Sequence, residues 1–273
     1  KIYKSKVKPI LEKEGVRVLM KLPVLSQMVM NKIREELVNA FGGEFYQVII
    51  GGAAFNKEVE AFFKKIGFPV TVGYGMTECA PIITYDDWNV EKLYSCGKAA
   101  PNLEIRIDSS DPANVPGEIL VRGANVFLGY FKNDDATGSV FTDDGWFKTG
   151  DMGVIDEDGC LFIKGRTKCM ILGPSGQNIY PEEVETVINS QPYVVDSLVV
   201  EDNGGLTALI YPDFAQGAKD GMNQDVFIKF MEDTLPELNK ELPNYAKLKK
   251  IEIMSEDFER TPKKSIKRYL YQR

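Results

Sequence analysis

The chain has 273 residues, 44% of them hydrophobic, and a formal net charge of -7; that is enough to build a core for one large domain or two unequal ones, and the acidic balance argues against a general nucleic-acid role. Histidine is absent, which excludes Ser-His-Asp and Cys-His catalysis, histidine general bases and histidine metal sites, so any catalysis must rest on carboxylates, lysines, arginines, hydroxyls, backbone amides or a bound ion. No apolar run is long enough to span a bilayer and no signal peptide is visible, while Cys79, Cys96, Cys160 and Cys169 show no CxxC spacing and read as buried free thiols of a reducing, cytoplasmic compartment.

Residues 24–41 predict a helix, with Met28, Ile33, Leu37 and Phe41 near helical spacing and Gly42-Gly43 as its stop. YQVII (46–50) reads as a short apolar strand ending at Gly51-Gly52. NKEVEAFFKKIG (56–67) reads as an amphipathic helix and PVTVGYG (69–75) as a second strand. The order and size of 46–75 are those of a βαβ crossover, which implies a parallel pair. In open α/β sheets ligands bind beyond the carboxyl ends of the strands. GGAA (51–54) and GYGMTE (73–78) both lie at such ends and are expected to face the same side.

From about 100 to 167 the pattern turns to β. LEIRID and EILVRG alternate apolar and polar residues, and WFKTGDMGVIDEDGCLFIKGR reads as strand, turn at Asp158-Gly159, strand. After GRTKCMILGPSGQNIY a helix is expected over PEEVETVINSQ, with Pro181 near its first turn and Glu182 and Glu183 beside it. Strands VVDSLVV and LTALIYP follow, joined at Asn203-Gly204-Gly205. A helix near 222–242, a final strand and the basic tail ERTPKKSIKRYLYQR complete the chain. The segment from about 169 reads as a separate small α+β domain.

The glycine-rich segments admit two readings each. GYGMTE lacks the third glycine of a dinucleotide fingerprint, and no GxxxxGK[ST] loop is present. It is either a tight turn or a strand end where glycine admits a ligand and a hydroxyl beside a carboxylate holds a phosphate and its magnesium. KTGD (148–151) puts Asp151 in a turn, as turn chemistry or as an acceptor for ribose hydroxyls, and GR (165–166) adds Arg166 within reach of the same ligand. GPSGQNIYPEEVE is a flexible loop or a backbone surface for a ligand. TPKKSIKR, taken alone, is a solvated charged end.

In their order (GGAA, YGMTE, GEI…GY, TGD, GRxK, GxNIYPEEVE, TPxxxIKR) these segments resemble the carboxyl-terminal half of the adenylate-forming superfamily, and most of all its long-chain fatty acyl-CoA synthetases. The resemblance runs from about residue 45 to the end. It implies an α/β fold in which a partial large domain, 1–167, made of a parallel βαβ piece and a β-rich subdomain, precedes a small mobile α+β domain, 168–273. It implies an acid–thiol ligase: a fatty acid and Mg-ATP form an acyl-adenylate and pyrophosphate, and coenzyme A then displaces AMP. Gly52, Ala53 and Ala54 would line the adenine pocket, Tyr74 would stack on the base and Gly75 would allow close approach. Thr77 would contact the phosphate, Glu78 would hold Mg²⁺, and Asp151 would bind the ribose with Arg166 nearby. Lys168 would be the hinge, and the loop Gly173–Asn178, with Gly173 and Gly176, would swing toward the coenzyme A channel.

Two departures accompany the resemblance. The family's phosphate loop with its lysine would precede residue 1, so the chain, which starts at Lys1 without methionine, is expected to be a piece that is inactive alone. Ser265 stands where the family's adenylation lysine is expected; that role is assigned to Lys264 through a local bulge in an extended tail, with Lys267 next. The same superfamily also includes ligases that end on a carrier-protein thiol. A non-catalytic nucleotide-binding module is the alternative from another class. A fatty substrate leaves a peripheral membrane contact open.

Overall fold

The computed structural model describes residues 22–173, 176–262 and 264–273. Helix α1 (Pro23–Ala40) opens on proline, whose fixed φ suits a first turn, and stops where Gly42 and Gly43 take positive φ, 100° and 82°. Strand β1 (Val48–Ile50) is followed by α2 (Lys57–Ile66). The Asn56 side chain caps α2 by accepting from Val59 N at 3.1 Å, and left-handed Gly67 ends it. Glu58 and Glu60 in its first turn and Lys64 and Lys65 in its last both complement the helix dipole. Strand β2 (Val70–Val72) pairs parallel with β1, Val48 opposite Val70 and Ile50 opposite Val72, as the crossover pattern requires. Met30, Leu37, Phe62, Ile66, Phe68 and Val70 form the core beneath this pair.

β3 (Tyr74–Gly75), β4 (Ile82–Tyr85) and β5 (Lys98–Ala99) form an antiparallel sheet; the sequence pattern did not single out β4. Strands β6 (Leu103–Asp108), β7 (Gly117–Gly123), β8 (Phe147–Ile155) and β9 (Leu161–Arg166) lie in chain order in a four-stranded sheet, and the short helix α3 (Asp134–Ser139) falls between β7 and β8. The β8–β9 turn is the expected one. Gly159 has φ 82°, and the Asp156 carboxylate accepts from Asp158 N at 3.1 Å and Cys160 N at 2.9 Å.

The remaining chain forms a small α+β domain. An antiparallel pair of two-residue strands, β10 (Ile171–Leu172) with β11 (Asn178–Ile179), leads to α4 (Pro181–Ser190). β12 (Val194–Asp202) and β13 (Gly205–Pro212) are antiparallel, and β14 (Leu248–Ile253) pairs parallel with β13. Ile188, Val199, Ala208, Ile210, Phe227 and Leu238 are among the residues of its core. Between β13 and β14 lie α5 (Phe214–Lys219), α6 (Gln224–Glu232) and α7 (Leu235–Glu241). The single helix expected over 222–242 is thus two. Pro236 lacks the N–H that would continue the α6 ladder, and Thr234 Oγ1 donates to Met231 O at 2.6 Å instead. α5 escaped the sequence reading because it is short. Gly217 in it lets the Phe227 ring close in, where an added Cβ would sit 2.7 Å from the ring.

The chain divides into two compact units. One contains the described residues up to Ile105 with Val121–Gly138 and Ile155–Phe162; the other contains Arg106–Leu120, Ser139–Val154 and Ile163–Arg273. In the first, Glu60 is only 5% exposed, its carboxylate accepting from Tyr94 N. Burial pushes its carboxyl up to about 7, against the pull of Lys57 and Lys64. Because the folded value lies above the unfolded one, this group's contribution is fully present below about pH 4.5 and is lost as pH rises through about 7. Glu60→Gln, whose amide oxygen can still accept from Tyr94, is therefore expected to stabilise this unit relative to the parent at pH 8, by up to about 3 kcal/mol, with little gain at pH 4.5. Denaturant unfolding of both proteins at the two pH values checks this, and a pH-independent difference contradicts it.

Candidate functional site

The first group of predicted residues is assembled where β1 and β2 end. Gly73 N donates to Ile50 O at 2.8 Å. A Cβ on Gly51 would lie 3.2 Å from Gly73 O, and one on Gly73 would lie 3.1 Å from the Ile49 side chain. GGAA and GYGMTE therefore leave the sheet side by side, as the crossover argument requires. Gly52 has φ 84°, a conformation that suits glycine, and Ala53 and Ala54 are exposed beside it. Tyr74 is buried, 8% exposed, in β3 opposite Thr84. At Gly75 a Cβ would lie 2.0 Å from Pro81 O, so only glycine lets β3 and the returning chain pass.

Thr77–Cys79 forms a single 3₁₀ turn, closed by Met76 N to Pro81 O at 2.8 Å and by Ala80 in left-handed conformation. Its backbone is pinned from a distant segment. Phe127 N donates to Glu78 O at 2.8 Å, and Asn125 Nδ2 donates to Cys79 O at 2.6 Å and Ile82 O at 3.1 Å. Tyr130 OH donates to Glu78 Oε1 at 3.1 Å, and partial burial first, then Glu78, raises that phenol. Thr77 remains exposed. The turn thus presents a hydroxyl next to a steered carboxylate. Among the described residues no cluster of three or more His, Cys, Asp or Glu could hold a metal alone. A single oriented carboxylate is the donor set that fits Mg²⁺ carried on phosphates, since that ion commonly takes one or two carboxylates plus substrate oxygens.

The second group lies in the other unit. Gly150 has φ 74° and its N–H donates to Glu118 Oε1 at 3.0 Å. Thr149 Oγ1 donates to Ile119 O at 2.8 Å and accepts from Asp151 N at 3.1 Å. The TGD turn is thereby held on β7, with Asp151 buried at 7% exposure. Arg166 Nε reaches Asp151 Oδ1 at 3.1 Å while most of its side chain stays exposed. The two residues expected to share a ribose site are in contact.

Lys168 is exposed in the 3₁₀ turn Thr167–Cys169 that follows β9. In the expected coenzyme A loop Gly173 N donates to Gln177 O at 2.8 Å, and Gly176, φ 82°, donates to Gly173 O at 2.9 Å. Residues 174 and 175 of that loop lie outside the described residues, as does Lys263 in the tail.

The tail departs from the extended conformation assumed for it. Arg260 and Ile266 form an antiparallel bridge around a tight turn, with Thr261 N to Ser265 O and Lys264 N to Thr261 O both at 2.8 Å. Lys264 is exposed with φ 64°, so the expected bulge is a left-handed turn position. Lys267 Nζ pairs with Glu259 at 3.1 Å, a bond that raises its ammonium from the ordinary lysine value.

The comparisons with known proteins accord with this placement. A family model for AMP-binding enzymes matches residues 4–131, and one for the AMP-binding enzyme C-terminal domain matches residues 170–273. The chain belongs to the adenylate-forming superfamily. This AMP-binding enzyme chain is 36% identical over 188 residues to the long-chain-fatty-acid–CoA ligase FadD15 of Mycobacterium bovis, covering 69% of this chain and 30% of that protein. It is 39% identical over 183 residues to the 2-succinylbenzoate–CoA ligase of Bacillus cytotoxicus, covering 63% of this chain and 37% of that one. Among solved structures it is similar to O-succinylbenzoate coenzyme A synthetase (MenE) from Bacillus subtilis in complex with ATP and magnesium ion, with TM-score 0.69, 28% identity, and 86% and 49% of the two chains covered. ATP-bound MatB from Rhodopseudomonas palustris gives TM-score 0.67, 30% identity, and 82% and 44% coverage. The match spans less than half the length of each of these relatives.

Sequence reasoning assigned no role to Tyr130, Glu118 or Asn125. All three sit inside the GEI…GY segment it had marked, and that spacing was the available signal. The glycines give a graded test. Gly75→Ala is expected to cost about 1–3 kcal/mol or more by overpacking against Pro81 O. Gly52→Ala meets open space and should cost only about 1 kcal/mol of backbone strain. Equal losses in denaturant melts would contradict the close-approach reading.

Proposed function

We propose that this chain is the carboxyl-terminal part of an ATP-dependent acid–thiol ligase. The carrying observation is Glu78, steered by Tyr130 at the ends of two apposed glycine turns. Thr77 contacts a nucleotide phosphate, and Glu78 supplies the protein's ligand to magnesium, which when bound neutralises phosphate charge. Ala53 and Ala54 line the adenine side with Gly52 and Tyr74. Asp151 accepts from the ribose hydroxyls, with Arg166 fixing one of its oxygens. The acid's carboxylate oxygen attacks the α-phosphorus and pyrophosphate leaves; the coenzyme A thiol then attacks the acyl carbon and AMP leaves. Charge neutralisation rather than an acid–base pair is what the first step needs, in keeping with a chain that has no histidine. The division near Lys168, its hinge role and the loop Gly173–Asn178 as the coenzyme A-facing element belong to the same reading.

The acid we propose is a long-chain fatty acid, supported by the similarity to FadD15 over 69% of this chain. The 2-succinylbenzoate reading is the alternative, favoured by 39% identity to a ligase of that acid. A cytoplasmic location and a peripheral membrane contact, where such an acid partitions, complete the proposal. The four cysteines are free thiols, three of them buried.

Carboxylate-dependent ATP–pyrophosphate exchange, run on the protein as encoded by its complete reading frame, tests this. Exchange with palmitate and not with 2-succinylbenzoate is expected, and the reverse preference replaces the fatty acid by the aromatic one. Glu78→Gln should lower the exchange rate roughly a hundredfold and raise the magnesium concentration needed. Lys168→Pro should slow acyl-CoA formation more than pyrophosphate release, because proline fixes φ at a hinge. Equal losses in the two half-reactions count against the hinge.

A further inference from the structure

The tail contains a second arginine that is not part of a solvated end. The Arg268 side chain is only 24% exposed. Its guanidinium hydrogen-bonds Glu185 Oε2 and lies 3.7 Å from Glu182 Oε1, two carboxylates three residues apart on one face of α4. The other Glu185 oxygen accepts from Val199 N of β12 at 2.7 Å. Burial pushes the Glu185 carboxyl up while Arg268 pulls the other way, and the carboxylates hold Arg268 charged. Arg268 also lines a cavity of about 320 Å³ with Lys168, Cys169 and Met170 of the segment after β9. One guanidinium therefore joins α4 and, through Glu185, the β12 edge, and it shares a cavity wall with the segment after β9.

The turn that carries Lys264 is anchored at both of its ends. On one side Arg260 donates to Lys264 O at 3.1 Å, to Asp196 at 2.8 Å and to Asp257 at 2.9 Å. On the other side stands Arg268, one residue beyond Lys267, whose N–H bonds Glu259 O at 2.9 Å. The Arg260 anchor is partly exposed and local to the tail and β12. The Arg268 anchor differs in its partner, the buried Glu185, and its Nη2 faces two carboxylates of one helix face, a geometry that a planar guanidinium holds more rigidly than a flexible ammonium.

We propose that Arg268 is a positioning residue for carboxylate adenylation, fixing on α4 the turn that presents the tail lysines. This rests on the ligase reading above. The role belongs to the first half-reaction, so loss of Arg268 should misplace the tail cations without touching nucleotide affinity or thiol transfer. Removing it alone leaves a buried carboxylate unpaired, which threatens folding. Two variants avoid that confusion: Arg268→Lys keeps the charge without the fork, and the double variant Arg268→Met with Glu185→Leu removes the pair together, a replacement that is often neutral for stability.

The test uses the protein as encoded by its complete reading frame. It measures ATP–pyrophosphate exchange, with kcat and the KM for ATP separated, and acyl-CoA formation from supplied acyl-adenylate. Both variants are expected to lower exchange kcat by about a hundredfold, the usual cost of a misplacement near 1 Å. The KM for ATP and thioester formation from the adenylate should stay within about twofold. Unchanged exchange, or equal losses in the two half-reactions, overturns the proposal while leaving the ligase reading intact. If neither variant folds, the pair is a stability element and the positioning role falls. A parent protein without carboxylate-dependent exchange sinks the ligase reading and this inference with it.

Discussion

Two loops from separate strands reach one place only if the strands are parallel and their ends nearly touch. The bond from Gly73 N to Ile50 O is where that condition is met. Side chains at positions 51 or 73 would hold the two ends apart, because added Cβ atoms meet Gly73 O and Ile49 at little more than 3 Å. The crossover helix α2 fixes the hand of the connection and buries Phe62 and Ile66 under the strands. From that apposition follow the exposed Ala53 and Ala54, the tight passage at Gly75 and the 3₁₀ turn bearing Thr77 and Glu78. The turn would still be free to rotate were its backbone not tied by Asn125 and Phe127.

The small domain solves a different problem. Its ion pairs are mostly exposed, and such pairs contribute about 0–1 kcal/mol each. Lys240–Glu237, with both side chains 70% exposed, is of that kind. Glu185 is not: it is buried at 7% exposure, with one oxygen on the Val199 amide and the other on Arg268. A buried carboxylate satisfied on both sides contributes definition of geometry more than net stability. Here that geometry concerns the last twenty residues, whose apolar packing centres on Phe258, with Met254, Ile266 and Tyr271 against the same cluster.

Local patterns carried the fold. Asn56, Gly67, Pro181 and the Asp156–Cys160 turn each mark an element end by chemistry that acts within four residues, and each is where the sequence reading put it. Pro236 acts over the same range, yet its effect was missed because apolar periodicity runs on across it from Phe227 and Met231 to Leu238. The site divides the same way. Glycine clefts and the TGD turn were legible as spacing. Tyr130 lies 52 residues from Glu78, and Glu118 lies 32 from Gly150, so no periodicity could join them. The tail was misread because an extended chain was assumed. Positive φ at Lys264 is paid in strain that only the Arg260–Ile266 bridge and the bond to Lys264 O make tolerable.

The near-equal identity to ligases of two unlike acids has a physical cause in what these residues do. On the proposed reading Glu78, Asp151, Arg166 and the glycine turns would handle phosphates, a ribose and a purine, which are the same whichever acid is activated. A hydrocarbon chain is recognised by apolar area and shape, and a methylene more or less shifts binding by only about 1–3 kcal/mol. Selection for a particular acid can therefore move through walls of interchangeable apolar residues without disturbing Gly73–Cys79. Residues that serve the nucleotide on the proposed reading can be common to both kinds of relative, so a similar overall identity to each says little about either acyl group. The discriminating residues must be those that touch the substrate beyond its carboxylate. None of the residues to which a role is assigned here, from Gly52 to Arg268, has that task.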